Sequence, residues 1–177
     1  MPLKIVITGP ESTGKSTLCE QLADYYHTVW VKEYAREYLL INGSDYNLED
    51  LIAIAKGQLQ SEGEVVERLN QDSLVFIDTD MYVMKIWSEF IFNTCPDFIL
   101  DNIVLRHYDL YLLMDIDLPW EPDLFREQPE LSVRQMLFQQ YTDVLANQKV
   151  PWKVISGMGD ERLQNAIRVI EEFMGRG

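Results

Sequence analysis

The sequence contains few cysteines and no long run of apolar residues. Only Cys19 and Cys95 occur among its 177 residues. They are too few for a disulfide framework, and we expect both to be reduced thiols of a cytoplasmic protein. No apolar stretch approaches the roughly 20 residues of a membrane-spanning helix, and the first residues lack the pattern of a signal peptide. These absences exclude disulfide-stapled and membrane-spanning proteins, and we expect no membrane partner.

Positive charge is also scarce. The chain has 15 Lys and Arg against 29 Asp and Glu, which gives a formal net charge of −14. An acidic surface repels phosphodiester backbones, so we expect no nucleic acid partner. The two histidines, His27 and His107, have no partners at the spacing of metal ligands. A small basic substrate or a metal-chelated phosphate compound suits this chain better, whereas its oligomeric state is not indicated.

Short apolar runs alternate with longer segments of helical period. Five runs are predicted to be strands buried on both faces, because their polarity does not alternate: 4–8, 28–31, 74–77, 110–115 and 152–155. The clearest helix spans 47–70, with Asn47 as its N-cap. The alternation predicts an α/β fold, a five-stranded parallel sheet flanked by helices, with ligands beyond the carboxyl ends of the strands. We expect residues 1–177 to form one domain.

A glycine-rich segment follows the first predicted strand. Residues 9–16, Gly-Pro-Glu-Ser-Thr-Gly-Lys-Ser, match the pattern G-x-x-x-x-G-K-[ST] at every fixed position, and a predicted helix from Ser16 to Tyr25 follows. In this phosphate-binding loop, or P-loop, backbone amides and the lysine contact phosphates, and the serine hydroxyl binds Mg²⁺. We therefore predict ATP and Mg²⁺ as cofactors. The predicted nucleotide contacts in the loop are Gly9, Glu11, Ser12, Thr13, Gly14, Lys15, Ser16 and Thr17.

The chain lacks the accessory motifs of two large P-loop classes. Residues 147–150, Asn-Gln-Lys-Val, break the Asn-Lys-x-Asp pattern by which GTPases select guanine, and Asp78 is not followed by the glycine of an Asp-x-x-Gly switch. The glycine-rich signature of transporter ATPases is missing too. The remaining interpretations are a small-molecule kinase and a minimal ATPase.

Charged side chains follow the second and third predicted strands. Asp78 and Asp80 end the third strand, where an acidic residue commonly holds Mg²⁺ directly or through water. Capping of the next helix is the alternative for both. Glu33 and Arg36 follow the second strand, with a solvated charged face as the alternative. We predict that Asp78 and Ser16 bind Mg²⁺, that Glu33 orients or deprotonates the acceptor hydroxyl with Asp80 as runner-up, and that Arg36 stabilises the transferring group.

Residues 118–135, which we call the lid segment, contain three prolines and two arginines. Phosphoryl-transfer enzymes commonly close such a segment over the nucleotide, with arginines neutralising the charge of the transferred group. Arg126 is the predicted catalytic and nucleotide-binding arginine. Arg134 is a second candidate, with a surface pair to a nearby glutamate as its alternative. After the fifth strand, Gly157 and Met158 form a turn that permits backbone contact with the nucleotide base.

Two aromatic residues after the third strand are candidates for the acceptor pocket. Tyr82 and Trp87 are predicted to face the crevice, where an aromatic face stacks on a flat ring, and a core position is the alternative. Asp115 and Asp117, after the fourth strand, are interpreted only as part of a turn.

Five segments occur in the same order across nearly the whole chain as in one known group of proteins: GPESTGKSTL, EYAREY, FIDTD, LPWEPDLFRE and VISGMGDERLQNAI. By these segments the chain resembles the ribosylnicotinamide kinase domain of NadR and its stand-alone relatives, a family of P-loop kinases or ATPases of NAD metabolism. The resemblance implies a nucleoside-kinase-like fold whose second strand is outermost. It also implies transfer of the γ-phosphate of ATP to the 5′-hydroxyl of nicotinamide riboside. The alternatives are a kinase of another nucleoside or small polyol, and an ATP-binding regulatory switch or ATPase with little turnover.

One position departs from that family's pattern. The riboside kinases of the family carry a tryptophan immediately before the glutamate of Glu-Tyr-x-Arg, where it stacks on the nicotinamide, and this chain has Lys32 there. A lysine beside the positive pyridinium of nicotinamide riboside repels it. The resemblance therefore requires Lys32 to pair with an acid or point to solvent, with Trp87 or Tyr82 providing the aromatic face.

Overall fold

A five-stranded parallel sheet forms the centre of the computed structural model, which describes residues 1–175. The strands are β1 Leu3–Thr8, β2 Val29–Val31, β3 Leu74–Asp78, β4 Leu110–Met114 and β5 Trp152–Ile155. Their order across the sheet is β2-β3-β1-β4-β5, and every neighbouring pair is parallel. The predicted fold class and the outermost position of the second strand are both confirmed.

Helices connect the strands and cover both faces of the sheet. Within the described residues they are α1 Lys15–Tyr25, α2 Tyr34–Asn42, α3 Leu48–Val66, α4 Met81–Phe92, α5 Asp97–Leu105, α6 Leu131–Ala146 and α7 Asp160–Phe173. Between residues 1 and 175, no helix combines the length and apolar character that crossing a bilayer requires.

The central strand β1 contributes to two apolar cores, one on each face of the sheet. Ile5 and Ile7 pack with residues of α1 and α7. Val6 points to the other face, where it packs with residues of α3, α4 and α6. Because both faces of the strand are buried, its sequence is continuously apolar rather than alternating.

The long helix α3 begins where the sequence predicts and ends earlier. The Asn47 side chain accepts the backbone N–H groups of Glu49 at 2.7 Å and Asp50 at 3.2 Å, and the Asp50 carboxylate accepts the Asn47 N–H at 2.9 Å. This capping box confirms the predicted N-cap. The helix ends at Val66 rather than near residue 70, because the amide of Arg68 bonds three residues back and tightens the chain into a turn.

Helix α2 begins on the surface of α3 at a position where α3 has no side chain. A Cβ atom added to Gly57 would lie 2.1 Å from Cε1 of the Tyr34 ring. A Cβ atom added to Gly63, on the same helix, would have no heavy atom within 4 Å. The glycine at position 57 therefore permits the close contact between α2 and α3.

We expect Gly57→Ala to lower the free energy of unfolding by about 1–3 kcal/mol, because the new methyl group overlaps the Tyr34 ring. Gly63→Ala is the matched control on the same helix. It should raise that free energy by up to about 1 kcal/mol, because alanine has the higher helix propensity. Urea unfolding followed by circular dichroism measures both, and effects of the same sign would contradict this packing.

Candidate active site

The P-loop lies between β1 and α1, and glycine geometry shapes it. Gly9 has φ +136°, and a Cβ atom there would lie 3.1 Å from the carbonyl oxygen of Met114. Gly14, with φ 80°, precedes α1, whose first turn has no side-chain cap. The free N–H groups of that turn are available to an anion. The Lys15 ammonium bends back over the loop and donates to the carbonyl oxygens of Gly9 at 3.1 Å and Pro10 at 3.0 Å.

Ser16 and Asp78 bring two oxygen donors together beside the loop. The Ser16 hydroxyl donates to Oδ2 of Asp78, and the buried Oδ1 makes no hydrogen bond in the described part of the chain. Burial, and then repulsion by Glu33, raise the pKa of Asp78 to about 7, against the opposing effect of Lys15. A hydroxyl beside an unpartnered carboxylate oxygen fits Mg²⁺, which prefers oxygen ligands.

No group of three or more His, Cys, Asp or Glu side chains that could hold a metal ion occurs in residues 1–175. Ser16 and Asp78 would be the two protein ligands of a magnesium ion at this place. This agrees with the ordinary behaviour of Mg²⁺, which binds one or two protein groups and completes its shell with water and substrate phosphates.

Asp80 points away from Asp78. Its Oδ1 accepts the backbone N–H of Val83 at 3.4 Å, and its Oδ2 accepts the hydroxyl of Tyr111 at 3.0 Å. Between the two acids, Thr79 adopts φ 76°, a conformation that β-branched residues rarely take. Asp80 is buried and does not line the cavity described below. It caps α4, so we withdraw its prediction as a substrate-binding residue and runner-up base.

A cavity of about 260 Å³ lies at the carboxyl edge of the sheet. The P-loop forms one wall, with all eight of its predicted nucleotide contacts. Glu33, Arg36 and Arg126 also line the cavity. The remaining wall is mainly apolar and aromatic, and includes Tyr46, Val83, Ile86, Trp87, Phe90, Phe125, Leu137 and Tyr141. The P-loop, Glu33 and the two arginines thus share one cavity, whereas Asp78 does not line it.

Trp87 lines this cavity, and Tyr82 does not. The Tyr82 ring packs against the ring of Tyr111 with centroids 5.8 Å apart. Five residues along a helix correspond to a rotation of about 140°, so Tyr82 and Trp87 cannot share one face of α4. We therefore withdraw Tyr82 as a substrate-binding residue.

Two hydrogen bonds fix the orientation of Trp87. Its indole N–H donates to the hydroxyl of Tyr46 at 2.9 Å, and that hydroxyl donates to Oε2 of Glu127 at 3.0 Å. The Tyr46 and Trp87 rings meet edge to face at 5.0 Å. Burial raises the pKa of Tyr46 to about 12, so its hydroxyl keeps the proton that it donates at neutral pH. No local pattern indicates this role for Tyr46, because its partners lie 41 and 81 residues away.

Lys32 lies outside the cavity and is exposed to solvent. Its ammonium sits over the Trp30 ring, 5.7 Å from the centroid. Alternate residues of a strand share a face, and Trp30 packs on the α1 side of the sheet, whereas Val31 joins the core on the cavity side. The resemblance required Lys32 to pair with an acid or to point to solvent, and the exposed Lys32 meets the second condition.

Glu11 and Ser12 of the P-loop hold the lid segment. The Glu11 carboxylate accepts the indole N–H of Trp120 at 3.2 Å and the backbone N–H of Glu127 at 3.0 Å. The Ser12 hydroxyl accepts the backbone N–H of Glu121 at 3.0 Å. In this arrangement the two side chains attach the lid segment to the loop, a role that the loop pattern does not indicate.

The arginines predicted to stabilise the transferring group occupy different settings. Arg36 forms a bidentate ion pair with Asp123 of the lid segment, at 3.0 and 3.1 Å. Arg126 donates to the carbonyl oxygen of Glu121 at 2.7 Å. A backbone carbonyl leaves the charge of a guanidinium uncompensated, whereas a carboxylate neutralises it. Arg126 is therefore better suited than Arg36 to meet a phosphate in the cavity.

Arg134, the second candidate, is buried rather than paired on the surface. It is 3% exposed and donates to the carbonyl oxygen of Leu118 at 3.3 Å. It does not line the cavity. The geometry gives it a structural contact within the lid segment.

Gly157 and Met158 also lie outside the cavity, next to a buried arginine. The Gly157 N–H donates to Oδ2 of Asp117 at 2.7 Å, and Arg162 forms an ion pair with the same carboxylate. Arg162 also donates to the carbonyl oxygen of Thr13 in the P-loop at 2.9 Å. Asp117 was predicted only as part of a turn. In the structure it pairs with Arg162, which in turn anchors the P-loop. One sequence signal was present: Arg162 stands four residues before Ala166 on the buried face of α7.

Comparisons with known proteins agree with this geometry. A family model described as an AAA domain matches residues 4–162. The chain is 27% identical over 176 residues to the Trifunctional NAD biosynthesis/regulator protein NadR of Escherichia coli, and 26% identical to the protein of the same name from Salmonella typhimurium. These alignments cover 97% of this chain and 42% of each relative.

Solved structures show the same fold. A crystal structure of NadR protein in complex with NR has a TM-score of 0.79 and 25% identity, over 98% of this chain and 51% of that chain. A second, with NAD and AMP-PNP, has a TM-score of 0.77, 23% identity and coverage of 98% and 50%. Thymidylate kinase from Candida albicans has a TM-score of 0.69 at 16% identity, over 99% of this chain and 94% of that one.

The chain spans about half the length of the NadR proteins that it matches. The likeness to them and to thymidylate kinase confirms the predicted P-loop, nucleoside-kinase-like fold. It also confirms the resemblance to the ribosylnicotinamide kinase domain of NadR. Because the family model covers most of its length, the chain belongs to the AAA domain family.

Proposed function

We propose that this chain is an ATP- and magnesium-dependent kinase of a small riboside. The first candidate is nicotinamide riboside, phosphorylated at its 5′-hydroxyl to nicotinamide mononucleotide in NAD salvage. The observation that carries the proposal is the cavity that the P-loop lines together with Glu33 and Trp87. The NadR complexes with NR and with AMP-PNP support the choice of riboside and of ATP.

On the nucleotide side, the chain supplies positive charge and amide donors. Lys15 exchanges the two carbonyl oxygens that it now contacts for phosphate oxygens, and the uncapped first turn of α1 binds the same phosphates. Arg126 meets the charge that develops on the transferring group. Ser16 and Asp78 would hold the magnesium ion, which supplies further neutralisation of phosphate charge.

On the acceptor side, Glu33 lines the cavity together with apolar and aromatic side chains. Glu33, at the start of α2, orients or deprotonates the 5′-hydroxyl, and the apolar wall excludes water that would compete as acceptor. A cationic ring stacked on Trp87 gains about 0.5–2 kcal/mol from the aromatic face. Lys32 points to solvent and Asp123 neutralises Arg36, so neither of these two cations opposes it, and Lys15 and Arg126 are assigned to the phosphates. The pocket therefore suits a positively charged base.

We expect Asp78→Asn to change how stability depends on pH in magnesium-free buffer. The pKa of Asp78 rises from its ordinary value of 3.8 in the unfolded chain to about 7 in the folded one, mainly by burial. Between these pH values the folded protein therefore binds more protons than the unfolded chain. The stability that the bound proton contributes is fully present below pH 3.8 and is lost as the pH rises through about 7. Each pKa unit corresponds to about 1.4 kcal/mol.

The asparagine variant should consequently unfold at higher urea concentration than wild type at pH 8, and at a similar concentration below pH 4. Urea unfolding at both pH values measures the difference. A difference that stays constant across this range would contradict the assigned environment of Asp78.

The substrate assignment is tested by replacing Trp87 and, as a matched control, Lys32. With nicotinamide riboside as acceptor, Trp87→Ala should raise the KM for the riboside by about tenfold or more, because a stacking partner is lost, and leave the KM for ATP within about threefold. Lys32→Ala should change neither KM by more than about twofold, because its side chain lies outside the cavity. Initial rates of ADP release and of phosphorylated product measure both constants. Phosphorylation of another nucleoside, but not of nicotinamide riboside, would overturn the substrate assignment and leave the kinase assignment standing.

A further inference from the structure

A buried amide joins the two sides of the cavity. Gln58, on α3, is 1% exposed. Its Oε1 accepts the backbone N–H of Tyr34 at 2.8 Å, and its Nε2 donates to the backbone carbonyl of Asp78 at 3.1 Å. Tyr34 directly follows Glu33, and Asp78 is the proposed magnesium ligand. One side chain thus holds the backbone next to both carboxylates of the site.

Both backbone groups lie at the end of a secondary-structure element. Tyr34 is the first residue of α2, so its N–H has no acceptor within the helix, and the side chain of Glu33 does not cap it. Asp78 is the last residue of β3, and the pairing of β3 with β2 ends one residue earlier, at Ile77. A buried backbone group without a partner costs about 1–3 kcal/mol. Gln58 supplies the partner for each.

The preceding residue, Gly57, lets Gln58 reach both groups. Without a side chain at position 57, the Tyr34 ring lies directly on α3. The start of α2 is therefore close enough to α3 for a glutamine amide to bond its backbone. Gly57 and Gln58 together hold Tyr34, the residue that follows Glu33: Gly57 makes room for its ring and Gln58 bonds its backbone N–H.

We propose that Gln58 is a positioning residue that fixes the separation of Glu33, on the acceptor side, from Asp78, on the magnesium side. This inference rests on the proposed function. In-line transfer requires the acceptor hydroxyl and the phosphate to be aligned closely, and a displacement of about 1 Å costs on the order of a hundredfold in rate. Both hydrogen bonds of the Gln58 side chain go to the backbone of Tyr34 and Asp78 rather than to the P-loop, so we expect ATP binding not to depend on it.

The test replaces the amide without changing its length. Gln58→Met should lower kcat by about 20-fold or more while the KM for ATP stays within about threefold. The control is Gln60→Met on the same helix, where the glutamine is exposed and bonds only to the exposed Glu64 side chain. It should change both constants by less than about twofold. If Gln58→Met does not fold, Gln58→Asn retains an amide that is one methylene too short to reach both partners, and the same loss of kcat is expected.

A second measurement needs no substrate. Hydrogen exchange followed by NMR should show the Tyr34 amide protected in the wild-type protein, and exchanging about tenfold faster or more in Gln58→Met. The amides in the middle of α3 should keep their protection, because the helix itself is unchanged. This pattern separates the loss of one positioning bond from general loosening of the fold.

A kcat within about threefold of wild type, or an unchanged exchange rate at Tyr34, would overturn the proposal. Equal losses of kcat and of ATP affinity would overturn it too, because they indicate general damage. If the wild-type protein phosphorylates no riboside, the proposed function fails. Gln58 is then judged by the Tyr34 exchange rate alone, which needs no substrate.

Discussion

The pairing of β1 with β3 is the constraint on which the site depends. Its register sets Ile7 opposite Asp78, so the P-loop leaves β1 beside the carboxylate that ends β3. The loop returns to the same place at the start of α1, where the Ser16 hydroxyl reaches Asp78. Two distant segments of the chain thus form one oxygen-donor site. Ser16 is the member of this pair that lines the cavity.

The lid segment connects the nucleotide and acceptor walls of the cavity. Glu127 is held at both ends, since its backbone N–H bonds to Glu11 of the P-loop and its carboxylate bonds to Tyr46. Tyr46 in turn holds the Trp87 indole. The position of one lid residue is therefore tied both to the loop that contacts phosphate and to the aromatic wall that faces the acceptor.

Features set by local sequence could be predicted, and features set by side-chain direction could not. The P-loop and the buried strands β1, β3 and β4 follow from glycine sterics and continuous apolar runs. The edge strands β2 and β5 were also predicted to be buried on both faces, which is wrong, because each has only one neighbouring strand and is partly exposed. Asp80 was misassigned because the left-handed turn at Thr79 directs it away from Asp78. The contacts of Glu11 with the lid segment join residues more than 100 positions apart, so no local pattern signals them. The direction of the Lys32 side chain, by contrast, could have been predicted. Alternate residues of a strand share a face, and Lys32 lies two residues after Trp30.

The central claim is that ATP on the P-loop and a hydroxyl beside Glu33 react in one cavity. The most direct test measures ATP consumption against riboside concentration for wild type, Glu33→Gln and Glu37→Gln, the last changing an exposed carboxylate of α2 outside the cavity. Consumption by wild type and Glu37→Gln should rise with riboside and match the phosphorylated product. Glu33→Gln should lose about a hundredfold or more of that rate and keep its ATP affinity within about threefold. ATP consumption by the wild-type protein that does not respond to any riboside would contradict the account.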